Sequence, residues 1–317
     1  MWSGRIRRLV QSRRSQRRAL PPKPARRGPV DASDWMRLSL HGVEMTVAAP
    51  DPALRKFWTK AEAGLWEPET FAFLDRAIAA AGPAPLFVDV GVWIGPITLY
   101  AAGRGAKVLA LEPDPAARLA LVENLAANPA LEERVMVVAG ALDDRPEPLT
   151  LYPHSKRFGA SKTSALPDPS GLGVRVGTLS AEAVIDRAAR LSGRSGAVVK
   201  VDIEGHEFAI GGEIARLIRG LGASALVSTH PRSIHDAVQR RAPEALADQP
   251  APHFAAYDAV RRLIKQFEAA GLDARALGRP DADALTVATA QLFGRGRKPK
   301  NFDLEIEARA APDLILD

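Results

Sequence analysis

Met36 to Val47 alternates apolar and polar residues on either side of His41-Gly42, which predicts a β-hairpin. From Ala53 to Ala81 the apolar spacing becomes helical, through Phe57, Trp58, Leu65, Trp66, Phe71, Leu74 and Ile78. Pro68 suits the first turn of a second helix, and Gly82-Pro83 stops it. Mostly apolar runs follow: Leu86 to Val90, a run ending in Glu112-Pro113, Arg134 to Ala139, Ala197 to Val201 and Ala223 to Val227. Each is short, and helix-like stretches separate them, including Pro115 to Asn128, Phe208 to Gly220 and Phe254 to Gly271. This alternation predicts an α/β protein with a mostly parallel sheet whose strands are buried on both faces. Leu149 to Tyr152 and Val174 to Val176 are expected to pair antiparallel across a long loop, 153–173. Two closely spaced strands, 274–277 and 284–293, are expected to close the sheet with an antiparallel edge.

The pattern predicts four regions. Residues 1–30 form a tail, 31–85 a hairpin and helices over the site, 86–293 the main domain and 294–317 a second tail that packs or pairs on an edge.

The first predicted βαβ unit carries the clearest chemistry. Asp89 and Gly91 end its first strand, Gly95 opens the helix, and Glu112 ends its second strand, 23 residues after Asp89. A right-handed crossover brings the glycine turn and Glu112 to the same carboxyl edge, where open α/β sheets bind ligands. Glu112 can accept hydrogen bonds from ribose hydroxyls, and Gly91 lets a ligand approach the backbone. The turn lacks the middle glycine of the dinucleotide pattern and contains no Lys or Arg. An acid beside it repels pyrophosphate and attracts an ammonium. S-adenosyl-L-methionine, which has an ammonium, a sulfonium and a ribose but no phosphate, is the expected cofactor. Asp143, after the third strand, either meets an adenine amino group or belongs to the turn in DDRPEP.

A second cluster follows the run AVVKV: Asp202, Glu204 and His206 crowd its carboxyl end, and His230 ends the next strand. Two histidines and two carboxylates at neighbouring strand ends are candidates for proton transfer and acceptor binding, with His230 preferred over His206 as general base. No metal ligands are assigned. Trp58 and Trp66 lie at helical spacing, which suits core packing as well as stacking on an acceptor. The loop 153–173, with Lys156, Arg157 and Lys162, is a candidate lid.

Charge changes the picture mainly at the start of the chain. The 317 residues contain 43 Lys/Arg against 37 Asp/Glu, but ten of the bases and none of the acids lie in residues 1–30. Residues 31–317 are therefore acidic, with 33 bases against 37 acids. The tail lacks the apolar core of a secretory signal, and it suits a solvated segment, a mitochondrial leader or a weak contact with nucleic acid or anionic lipid. There is no apolar run long enough for a transmembrane segment, and the absence of cysteine fits a cytoplasmic protein. A nucleic-acid-binding or RNA-modifying protein using the tail, and a nicotinamide-dependent oxidoreductase, are the alternatives. The acidic body argues against the first and the missing glycine against the second.

Taken in order, Asp89-Val90-Gly91 with Ile94-Gly95 and Thr98, Glu112-Pro113, and Lys200-Val201-Asp202-Ile203-Glu204-Gly205-His206-Glu207 resemble the FkbM-type methyltransferases, as does Trp66-Glu67-Pro68-Glu69-Thr70. The resemblance spans roughly residues 60–232. It implies a seven-stranded Rossmann-like methyltransferase fold and O-methyl transfer from S-adenosyl-L-methionine to a hydroxyl of a sugar, glycolipid or related metabolite. Val92-Trp93 stands where the family usually has Ala-Asn, and Leu179-Ser180 where Leu-Asp is common.

Overall fold

Alternate residues of the central strands serve two separate apolar layers. In the strand Leu86–Val90, Leu86, Val88 and Val90 pack into one core cluster, while Phe87 packs into the other. A strand with no solvated face reads as a continuous apolar run, which is why these strands were legible. The computed structural model describes residues 31–153, 159, 162–167, 172–191, 195–241, 251–279, 283–293 and 299–308. The basic tail, Lys156 and Arg157 of the expected lid, and most of the two ends of the 294–317 segment lie outside these residues.

In chain order the strands are β1 Trp35–Leu40, β2 Val43–Ala48, β3 Leu86–Val90, β4 Lys107–Leu111, β5 Val135–Val138, β6 Ala141–Leu142, β7 Leu149–Leu151, β8 Val174–Val176, β9 Thr178–Leu179, β10 Ala197–Val201, β11 Ser224–Thr229, β12 Leu272–Ala276 and β13 Phe302–Ala308. Seven of them form one sheet in the order β12-β13-β11-β10-β3-β4-β5. The pairs from β11 to β5 are parallel, and β13 runs antiparallel to both β11 and β12. This is the expected α/β architecture, a seven-stranded, mostly parallel Rossmann-like sheet with an antiparallel edge. The order reverses between β3 and β10, so the crevice at their carboxyl ends is where such a sheet takes a ligand.

One strand was misplaced. Residues Ala284–Phe293 form a helix, not the last strand, and the last strand is Phe302–Ala308, within the segment expected to be a tail. The β-branched content of ALTVATAQLF suggested a strand. However, Ala284, Val287 and Ala288 are buried at helical spacing, and Asp283 Oδ1 accepts from Thr286 N at 2.8 Å as an N-cap. In β13, Leu304 and Ile306 are buried and their neighbours are not, the alternation of a strand. The sheet domain therefore extends at least to residue 308, past the expected boundary at 293.

The predicted hairpin forms, with β1 and β2 paired antiparallel around His41-Gly42. It packs away from the crevice, against the helix Pro115–Ala126, where Asn124 Oδ1 accepts from Ala48 N at 2.7 Å and Asn124 Nδ2 donates to Ile94 O at 2.9 Å. The part of 31–85 that reaches the site is the joint between the helices Pro52–Glu62 and Pro68–Ala80. β7 and β8 pair antiparallel as expected. No described helix is long and apolar enough to cross a membrane.

Candidate active site

Parallel register places Asp89 of β3 beside Lys200 of β10 at the carboxyl edge of the sheet. The turn after β3 passes so close to β10 that a Cβ on Gly91 would lie 1.8 Å from Asp202 O, and its φ is +86°. Only glycine fits both constraints. Two cavities open on either side of this crossing, and Gly91, Trp93, Asp202 and Glu204 line both.

The first cavity is mostly apolar. Leu111, Ala117, Leu142 and Leu151 give it apolar walls, and Glu112 stands at its rim. Glu112 Oε2 accepts from Trp93 N and Oε1 from Asp114 N, both at 2.7 Å. Burial pushes the Glu112 carboxyl up to about 8, against these two N–H groups, which pull it down. Asp114 caps the following helix through Oδ1, and its Oδ2 accepts from Gly159 N at 2.7 Å and Thr163 Oγ1 at 2.9 Å. Trp93 Nε1 donates to Gly159 O at 2.9 Å, so the described part of the 153–173 segment lies against the first cavity.

The second cavity, about 370 Å³, is lined by Glu67, Asp89, Asp202, Glu204 and Asp303 against Lys162, Lys200 and His230, with Phe57, Trp66 and Trp93 as aromatic walls. Three of its residues, Glu67, Trp93 and Glu204, have φ of +47°, +56° and +52°. Side chains held in this left-handed region cost of order 1–3 kcal/mol each and cluster at functional sites. Burial pushes both Glu67 and Glu204 up to about 7. Asp89 is 1% exposed; Oδ2 accepts from Thr98 Oγ1 at 2.7 Å, while Oδ1 has no partner, and burial lifts the carboxyl to about 6. Lys200 donates to Asp202 Oδ2 at 3.1 Å; burial alone would neutralise the amine, but Asp202, Asp89 and Glu67 hold it charged.

Of the expected residues, Asp89, Gly91, Glu112, Asp202, Glu204 and His230 meet around the two cavities. Gly95 does not line either; it opens the helix Pro96–Gly103 at φ +93°, where a Cβ would meet Leu121 at 2.4 Å. His206 and Asp143 pair with each other instead: Nε2 lies 2.8 Å from Asp143 Oδ2, both side chains buried. Arg145 donates to both Asp143 oxygens at 2.8 Å, so that Arg145 and His206, against the effect of burial, hold the Asp143 carboxyl well below the usual range. A carboxylate so engaged has no face left for an adenine amino group; His206, tied to it through Nε2, also lines the first cavity.

His230 sits differently. Its backbone N–H and Nδ1 both address Glu207 Oε1, at 2.7 and 3.2 Å, and Nε2 faces Asp202 Oδ1 at 3.4 Å and Glu204 Oε2 at 3.7 Å. Burial opposes its charged form, but Glu207, then Asp202 and Glu204, outweigh it and push the imidazole up to about 10. A charged His230 is a counter-cation among carboxylates, whereas a general base would have to be neutral. Trp58 is fully buried and belongs to the core, whereas Trp66 lines the second cavity.

Sequence reasoning missed Glu207, Lys200, Glu67 and Asp303. The first two frame the motif KVDIEGHE and Glu67 lies in WEPET, so the signals were present in the stretches already singled out. Asp303 lay in the supposed tail.

No protein-family model and no curated protein sequence matches the chain. Among solved structures, similarity extends to a cofactor-bound protein of MTB called Rv0187, with 18% identity over 82% of this chain and 99% of that one and a TM-score of 0.37. An O-methyltransferase from Bacillus cereus in complex with SAH shares 14% identity over 81% and 91%, with a TM-score of 0.39. A geranyl diphosphate C-methyltransferase from Streptomyces coelicolor A3(2) shares 14% over 89% and 90%, with a TM-score of 0.42. Assignment of a reaction therefore rests on the site itself.

Proposed function

We propose that this protein is an S-adenosyl-L-methionine-dependent methyltransferase acting on a hydroxyl of a small-molecule or saccharide acceptor. The observation that carries this reading is Asp89 Oδ1, a buried carboxylate oxygen without a partner on a residue that lines the second cavity. Buried polar atoms in folded proteins are satisfied, and an orphan at a cavity wall marks a ligand group. Here the matching group is a cation, which suits an ammonium and disfavours a pyrophosphate. Glu112, in reach of the apolar nucleoside cavity, supplies the acceptor for ribose hydroxyls. When bound, the cofactor supplies a methyl carbon already activated by its sulfonium charge.

What remains for the chain is to hold the acceptor hydroxyl and receive its proton. Both tasks fall where the two cavities meet. Glu204 lines both and stands next to the His230 imidazolium, so it is the group to take the proton, with His230 balancing the charge that remains. Asp202, fixed by Lys200, orients the hydroxyl. The motif KVDIEGHE supports an FkbM-type enzyme and hence a sugar, glycolipid or related acceptor, and the cysteine-free sequence favours a cytoplasmic setting.

The test is calorimetry with S-adenosylhomocysteine, followed by mass spectrometry of an acceptor library incubated with isotope-labelled cofactor. Micromolar binding and a labelled product are expected. Tight binding of NAD in place of the nucleoside would overturn the reading. Glu204→Gln is expected to lower turnover about 10²–10⁴-fold with nucleoside affinity unchanged.

A further inference from the structure

We propose that Asp202 Oδ1, Glu204 Oε2 and His230 Nε2 form a binding site for one divalent transition-metal ion of the Mn²⁺ or Zn²⁺ type, open on its remaining side to the acceptor cavity. The three donor atoms lie within 4.8 Å of one another. His230 Nε2 is 3.4 Å from Asp202 Oδ1 and 3.7 Å from Glu204 Oε2. Adjacent ligands about 2.1 Å from one ion stand about 3.0–3.4 Å apart, so small side-chain rotations close the set.

The cluster is more than an acidic patch, because Asp202 and His230 arrive with their other polar atoms already engaged. Asp202 keeps Oδ2 on Lys200 Nζ at 3.1 Å and leaves Oδ1 for the site. His230 has Nδ1 on the buried Glu207, whose second oxygen accepts from Gly205 N at 2.8 Å. The imidazole is 6% exposed, and its Nε2 is aimed at the carboxylates from a different strand end. A carboxylate behind the distal nitrogen of a histidine is how metal sites fix the tautomer and ring angle. Two carboxylates with one imidazole suit a first-row transition ion better than Mg²⁺ or Ca²⁺, which prefer all-oxygen shells. Three protein ligands with a cavity on the fourth side is the layout of a site that also binds substrate.

The inference rests on the methyltransferase reading only for what the ion would do: a hydroxyl bound to it would lose its proton more easily, the proton passing to Glu204 Oε1, which the ion does not use, while His230 acts as ligand instead of counter-cation. Binding is independent of turnover. Full-length protein, treated with chelator and dialysed, is titrated with MnCl₂ while free Mn²⁺ is read by its electron paramagnetic resonance signal, with ZnCl₂ as competitor. One Mn²⁺ per chain is expected, displaced by Zn²⁺, and weakened at least tenfold in Glu204→Gln and His230→Ala. Glu207→Gln, which touches no ligand atom of the ion, is expected to weaken it 10–100-fold. Glu204 is partly exposed, so Glu204→Gln keeps the test valid if the histidine variant fails to fold. Binding of Mn²⁺ no tighter in the native protein than in Glu204→Gln overturns the site. Calorimetry with S-adenosylhomocysteine on the same samples separates the two conclusions. Nucleoside binding without ion binding overturns the metal site alone, and ion binding without nucleoside binding upholds the site and overturns the methyltransferase reading.

Discussion

Asp89 places a buried carboxylate, one oxygen of which has no partner, in the folded protein. Its carboxyl has a folded pKa raised from 3.8 to about 6, so the folded state binds the proton more tightly than the unfolded chain does. Stability is therefore lost as pH rises from about 4 through 6 and stays low above that. Asp89→Asn keeps an oxygen for Thr98 Oγ1 and removes the buried charge. The variant is expected to melt higher at pH 8, by the equivalent of about 1–3 kcal/mol, to lose the slope between pH 4 and 6, and to bind S-adenosylhomocysteine at least tenfold more weakly. Melting curves across that range, with calorimetry at pH 8, check all three. Gly91→Ala tests the crossing of the strands. The new Cβ would meet Asp202 O in a left-handed backbone, and a loss of about 3 kcal/mol or more in denaturant unfolding is expected.

Among elements, the hairpin is held to the helix Pro115–Ala126 and the residues just after it by two amides, Asn124 and Asn128. Asn124 is 1% exposed and bridges Ala48 N to Ile94 O, so it ties β2 to the loop after β3. Asn124→Ala leaves both backbone groups buried without a partner, at an expected cost of about 2–4 kcal/mol by denaturant titration. The helices were legible from their period and the parallel strands from their short, mostly apolar runs. What escaped were elements whose local preference and tertiary role disagree. Ala284–Phe293 has strand-like composition and a helical burial pattern, and β13 has clean alternation but sits behind a basic stretch that looked like a tail. Around the cavities, Gly91, Asp89, Glu112, Asp202, Glu204 and the two histidines are residues that type and spacing alone single out. That His206 turns to Asp143 while His230 turns to Glu207 depends on rotamers and on chain segments 63 and 23 residues away, which no local pattern encodes.

At the scale of the molecule, the ligand crevice lies at the β3/β10 reversal, and its walls are gathered from Phe57 to Asp303. The site and the fold are therefore expected to be lost together on truncation after residue 300. Such a protein lacks β13 and leaves β11 unpaired on one side. Circular dichroism and S-adenosylhomocysteine binding should both fail for it.

The position of β13 also sets an order on biosynthesis. Strands β3, β4, β5, β10 and β11 can pair as they leave the ribosome, but β12 has no partner in the sheet until β13 slides between it and β11. Until residue 308 has emerged, the nascent chain carries an open hydrogen-bonding edge on β11 beside a half-built cavity. Such an edge invites pairing with another chain, and the last part of synthesis is thus the interval in which this protein is most exposed to aggregation and most in need of a chaperone.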